Sequence, residues 1–173
     1  NCVENNEVID DSGNGASARV IGNPGCICGV KDNSLDIRSA SDQLLFLSGP
    51  VYNLFNKRDF SVSFYFKPAI FSGTRSIIYK KDECSTDQYF DIKFTSGSNR
   101  IQVDLVENAS KFTSAVGTLP FGRCWYHIVA VRAGNRTRLY IDGDLAQEVK
   151  AVSRVDISNN SVLTVGGSTC QAT

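Results

Sequence analysis

One segment constrains the fold more than any other: Phe60-Ser61-Val62-Ser63-Phe64-Tyr65-Phe66-Lys67. Large apolar side chains at 60, 62, 64 and 66 alternate with Ser61, Ser63, Tyr65 and Lys67, and a period of two is that of a strand with one buried face. Side chains of this size need a second layer to cover them, so the chain must be built in layers. The alternation recurs at Ile101, Val103 and Leu105. It recurs again in 124–132, where Trp125, His127, Val129 and Val131 are read as the core face against Tyr126, Ile128, Ala130 and Arg132. Asp142-Gly143 between two extended runs predicts a two-residue hairpin, because both residues tolerate the positive φ such turns demand. Ser96-Gly97-Ser98-Asn99 and Ala133-Gly134-Asn135 predict two more. Strands every ten to twelve residues with no helical period between them predict an all-β, antiparallel β-sandwich.

At 173 residues the chain suits a single domain over 1–173. Its sandwich strands are expected in 34–170. The section 1–33 reads as loop-rich, because Gly13, Gly15, Gly22, Pro24, Gly25 and Gly29 interrupt any regular element. Eighteen Lys and Arg balance eighteen Asp and Glu, with no basic block to attract a phosphate backbone. Nucleic acid is therefore not expected as a partner. No apolar run approaches the roughly 18 residues of a spanning helix, so direct membrane insertion is not expected either. The chain lacks Met and begins Asn1-Cys2, as a processed or excised piece would.

The six cysteines are Cys2, Cys26, Cys28, Cys84, Cys124 and Cys170, and His127 is the only histidine. No paired CxxC or Cys/His zinc pattern is present. An even set of scattered cysteines predicts a disulfide framework and an extracellular, oxidising setting, with buried free thiols as the alternative. Sequons at Asn108, Asn135 and Asn159 agree with secretion but arise easily by chance in such a chain.

Four runs carry a family likeness: SLDIRSASDQLLFL (34–47), DFSVSFYFKP (59–68), CWYHIVAVRAGNRTRLYIDGDL (124–145) and SVLTVGG (161–167). Together they resemble the laminin G-like, concanavalin A-like jelly rolls, especially those of large bacterial surface adhesins linked to gliding motility. The resemblance implies a secreted or cell-surface location, with neighbouring domains of the same protein, or a glycan or protein of a cell surface or matrix, as partners. It also implies a first strand before the D-x-SGNG loop and a last strand after TVGG. The chain is expected to lie within a longer protein that supplies them.

Enzymes of this fold need two nearby carboxylates, often on alternate residues of one strand. Asp91 and Asp104 stand alone on their strands, and His127, read as a core residue, has no nucleophile placed beside it by any motif. No catalysis is expected. A glycan site would draw on Tyr65, Tyr79, Lys81, Asp87 and Tyr89, with Tyr52 a further aromatic; the alternative is that these aromatics only cover an outer sheet face. The resemblance implies a structural Ca²⁺ near Asp10–Gly15, held by Asp11 and Asn14, against an uncoordinated Asx turn. Cys84 and Cys170 fall in loops expected at one end of a jelly roll and are paired on that ground, while Cys26 and Cys28 are expected to divide between Cys2 and Cys124. The expected function is a non-enzymatic adhesion or recognition module. Two other readings are a structural spacer or stalk module and a glycan-active enzyme using Asp91 or Asp104.

Overall fold

The computed structural model describes residues 2–39, 41–47, 49, 51, 54–82 and 84–167. They form fourteen strands and no α-helix: β1 (Glu7–Val8), β2 (Ala18–Ile21), β3 (Gly25–Cys28), β4 (Asn33–Asp36), β5 (Gln43–Phe46), β6 (Phe60–Phe66), β7 (Thr74–Lys80), β8 (Tyr89–Thr95), β9 (Arg100–Asn108), β10 (Lys111–Thr118), β11 (Tyr126–Ala133), β12 (Arg136–Ile141), β13 (Asp144–Lys150) and β14 (Leu163–Val165). An eight-stranded sheet in the order β1-β2-β5-β14-β7-β8-β9-β10 faces a four-stranded sheet in the order β13-β12-β11-β6, and β3-β4 form a separate ribbon. Every pairing is antiparallel. This is the expected all-β sandwich.

Alternation decides the core. Phe90, Ile92 and Phe94 on β8 and Ile101, Val103 and Leu105 on β9 point inward, where they meet Tyr126, Ile128 and Ala130 of β11 and Leu139 and Ile141 of β12. Aromatic contacts tie the layers together: the Phe60 and Phe90 rings lie 5.5 Å apart, and the Phe66 and Phe94 rings 5.2 Å apart. A Cβ on Gly117 would come within 2.6 Å of Ile141 Cδ1, so only glycine lets β10 approach β12 this closely.

Two expectations change here. On β11 the buried series is Tyr126, Ile128, Ala130 and Arg132, and His127, Val129 and Val131 lie on the outer face. Both series are rich in apolar residues, and the charged Arg132 argued against its own series. Its guanidinium is in fact buried and donates to the carbonyls of Asn56 (2.5 Å) and Val155, which compensates for the buried charge. The loop-rich N-terminal section also contains three short strands, with β1 and β2 extending the large sheet. All three predicted hairpins form; Asp142 and Gly143 have φ of 53° and 92°.

Cys2 and Cys26 form a disulfide that fastens the chain start to the β3-β4 ribbon. Cys84 is also disulfide-bonded; its expected partner, Cys170, lies outside the described residues. The expected division of Cys28 with Cys124 does not occur, and both are exposed free thiols. Cys28 ends the ribbon strand β3, whereas Cys124 lies in the loop that enters β11 of the four-stranded sheet.

Candidate functional site

Register builds a row of side chains across the outer face of the large sheet. Leu45 pairs with Thr164, Thr164 with Tyr79, Tyr79 with Asp91, Asp91 with Asp104, and Asp104 with Ser114. Beside the Leu45, Thr164 and Tyr79 end of this row lies an open depression of about 860 Å³. Leu45, Val162, Tyr79 and Thr164 supply its floor, and Gln43, Lys81, Asp82, Ser85 and Ser161 supply polar groups around it. The Lys81 ammonium lies 4.4 Å from the Tyr89 ring centre, a cation–π contact that fixes the ammonium at the rim. Ser161 Oγ donates to Asp82, and Ser85 Oγ donates to the Asp87 carbonyl at 2.8 Å, which orders the rim loop. The Gln43 side-chain amide makes no hydrogen bond among the described residues.

The structure thus brings Tyr79, Lys81, Asp87 and Tyr89 to one end of one face. Tyr79 is only 6% exposed, so it serves as floor rather than as a stacking platform. Burial pushes the Tyr79 and Tyr89 phenols above their ordinary range. Tyr65 lies elsewhere, on the outer face of the four-stranded sheet, 56% exposed and stacked on His127 at 4.9 Å. Tyr52 lies outside the described residues. Gln43, Leu45, Ser161 and Thr164 were not singled out in the sequence; they come from strands distant in the chain, and only the register joins them.

A second arrangement was hidden for the same reason. Asp91 and Asp104 are direct cross-strand neighbours. Lys93 pairs with Asp104 at 2.6 Å, and Gln102 Nε2 donates to Asp104 and to Ser114 Oγ, both at 2.9 Å. Asp91 accepts only from Ser76 Oγ at 3.0 Å, and its Oδ1 is buried with no partner. Burial pushes the Asp91 carboxyl up to about 6. Both carboxylates are 6% exposed or less, so neither is offered to a substrate. His127 is likewise not the core residue expected: its Nε2 lies 2.8 Å from Ser63 Oγ on the outer face. Among the described residues no carboxylate is bonded to the other ring nitrogen, so the pair lacks the orienting third group of a nucleophilic site.

The 10–15 turn is closed by its own carboxylate. Asp10 accepts from the Ser12 N–H at 2.9 Å and the Ala16 N–H at 2.8 Å, and hydrogen bonds from Ser12 and Ala16 hold its carboxyl down at about 2. Asn14 Nδ2 donates to Ser12 Oγ. This leaves the Asp11 carboxylate and the Asn14 amide oxygen as side-chain donors, well short of the six to eight oxygens Ca²⁺ takes. Among the described residues no three His, Cys, Asp or Glu side chains converge on a possible metal position.

Residues 39–173 match the model of a family described as the concanavalin A-like lectin/glucanases superfamily. No curated protein matches the sequence. Among solved structures, the binding domain of Paraclostridial Mosquitocidal Protein 1 superposes with a TM-score of 0.70 at 17% identity, over 95% of this chain and 42% of that one. The binding domain of botulinum neurotoxin DC, in complex with rat synaptotagmin II, gives 0.69 at 19% identity over 94% and 41%. A structure of botulinum neurotoxin type C, whose cell entry depends on interaction with two ganglioside molecules, gives 0.68 at 18% over 94% and 40%. The chain therefore spans about two-fifths of the length of each of these structures. No helix among the described residues is long and apolar enough to cross a membrane.

Proposed function

The chain belongs to the concanavalin A-like lectin/glucanase superfamily, and from that premise we propose that it is a non-enzymatic recognition module of a larger secreted or cell-surface protein, binding a glycan in the depression beside Tyr79. The observation that carries this reading is the combination of an apolar floor (Leu45, Val162, Tyr79) with a rim of amide, ammonium, carboxylate and hydroxyl groups on the outer face of a rigid sheet. A saccharide presents apolar C–H faces and many hydroxyls, and such a lining answers both. Lys81, held on Tyr89, offers a donor to a ring hydroxyl or a sugar carboxylate, and the Gln43 amide can both donate and accept. Support from relatives is one of fold: the similar solved structures are binding domains. The disulfides at Cys2–Cys26 and Cys84 suit an oxidising, extracellular setting.

The enzyme reading has less to stand on, because Asp91 and Asp104 are both buried and Asp104 is occupied by Lys93. Glycan-array binding followed by calorimetry on the chain tests the proposal. Binding that weakens in Lys81→Ala and Gln43→Ala is expected; no binding to any glycan or protein surface would leave a spacer module.

A further inference from the structure

The end of the sandwich opposite the depression is built from four loops: 67–73, 96–99, 119–125 and 142–143. Hydrogen bonds join them. Ser96 N–H donates to the Gly73 carbonyl (3.2 Å), Asn99 Nδ2 to the Leu119 carbonyl (2.7 Å), and Arg123 pairs with Asp142 (2.8 Å). From this braced platform two apolar side chains project. Ile70 is fully exposed and Phe121 is 88% exposed. Scattered exposed apolar residues need no explanation, but large ones at the tips of adjacent loops do.

Their surroundings point to an occupant. Neither loop 67–73 nor loop 119–125 contains an acidic residue. The end carries Lys67, Arg75, Arg100 and Arg123 against Asp142 and Asp144, and Arg38, whose carbonyl accepts from Arg75, is paired with Asp36, in a chain whose net charge is zero. Trp125, half-buried, lies at the base of the second loop with the Lys67 ammonium 6.0 Å from its ring centre. Protruding Ile and Phe, a Trp at their base and flanking cations form the pattern of side chains that settle into the headgroup layer of a bilayer.

We propose that this loop end docks peripherally on an anionic lipid bilayer surface, with Ile70 and Phe121 entering the headgroup layer and Lys67 and Arg100 facing the lipid charge. The contact is superficial, since it is made by the tips of two loops. It is also independent of the glycan reading, because the depression lies at the other end of the strands.

Trp125 is the only tryptophan, so its emission reports on this end alone. The chain is mixed with phosphatidylcholine vesicles with and without phosphatidylserine, and Trp125 emission and cosedimentation are followed. A blue shift and cosedimentation are expected with the phosphatidylserine vesicles only, weakening as salt is added. Ile70→Ser and Phe121→Ser should each weaken partition about tenfold. Both sites are exposed, so unfolding temperatures should not change, and Lys81→Ala should partition as the unsubstituted chain does. Absence of partition, equal partition onto neutral vesicles, or partition unaffected by both serine substitutions would overturn the proposal. Self-association without vesicles that disappears in the same two variants would assign the end to a protein contact and overturn it as well.

Discussion

Asp91 on β8 stands directly across from Asp104 on β9, and among the described residues only Asp104 is in an ion pair: Lys93 Nζ sits 2.6 Å from it while Asp91 Oδ1 is buried without a hydrogen-bond partner. Of the two neighbouring carboxylates, the one outside the ion pair has the poorer environment. Burial is the main cause of its raised value, with Asp104 adding like charge.

The folded chain therefore holds the Asp91 proton more tightly than the unfolded chain does. This stabilising contribution is complete below pH 3.8 and is lost as pH rises through about 6. The change amounts to about 3 kcal/mol. Asp91→Asn removes the titration, so the variant should be more stable than the unsubstituted chain at pH 7 and closer to it at pH 4. Urea denaturation across this range checks it; parallel pH profiles for the two proteins would contradict it.

Arg132 is 2% exposed and bridges the carbonyls of Asn56 and Val155, which tie two loop segments to β11. Arg132→Leu leaves both carbonyls without a donor and should cost about 3 kcal/mol in urea denaturation. A loss below the resolution of the experiment would show that these carbonyls find water instead.

Much of this layering was legible in the sequence, and the failures have a common physical form. FSVSFYF shows its buried face because Ser alternates with Phe and Val, whereas in 125–132 both alternating series are apolar and a slip of one residue inverts the faces. Arg132 misled the reading because a charge is normally a surface marker, and its carbonyl partners at 56 and 155 are far away in sequence. The depression and the Asp91–Asp104 pair are products of register between strands, which no single strand displays. β1 to β3 were obscured by their shortness and by the glycines around them.

The cysteine state is directly measurable. Alkylation of the native, unreduced chain should label Cys28 and Cys124, and reduction should release Cys2, Cys26, and Cys84 together with its disulfide partner. Six reactive thiols before reduction would contradict the disulfides and, with them, the oxidising compartment.

Because Asp10 closes its turn with backbone N–H groups, that turn should not require a metal. Unfolding temperatures in excess Ca²⁺ and in chelator should coincide, and Asp10→Ala should destabilise the chain equally in both. A rise of several degrees on adding Ca²⁺ would show that donors beyond Asp11 and Asn14 complete a site.

Glycan binding in the depression beside Tyr79 is tested most sharply by calorimetric titration of the chain and of Lys81→Ala with the strongest glycan-array hit. Saturable binding is expected that weakens about tenfold in Lys81→Ala, with Tyr65→Ala unchanged because Tyr65 lies on the other sheet. Binding that survives Lys81→Ala and is lost in Tyr65→Ala would contradict it and move the site to the four-stranded sheet.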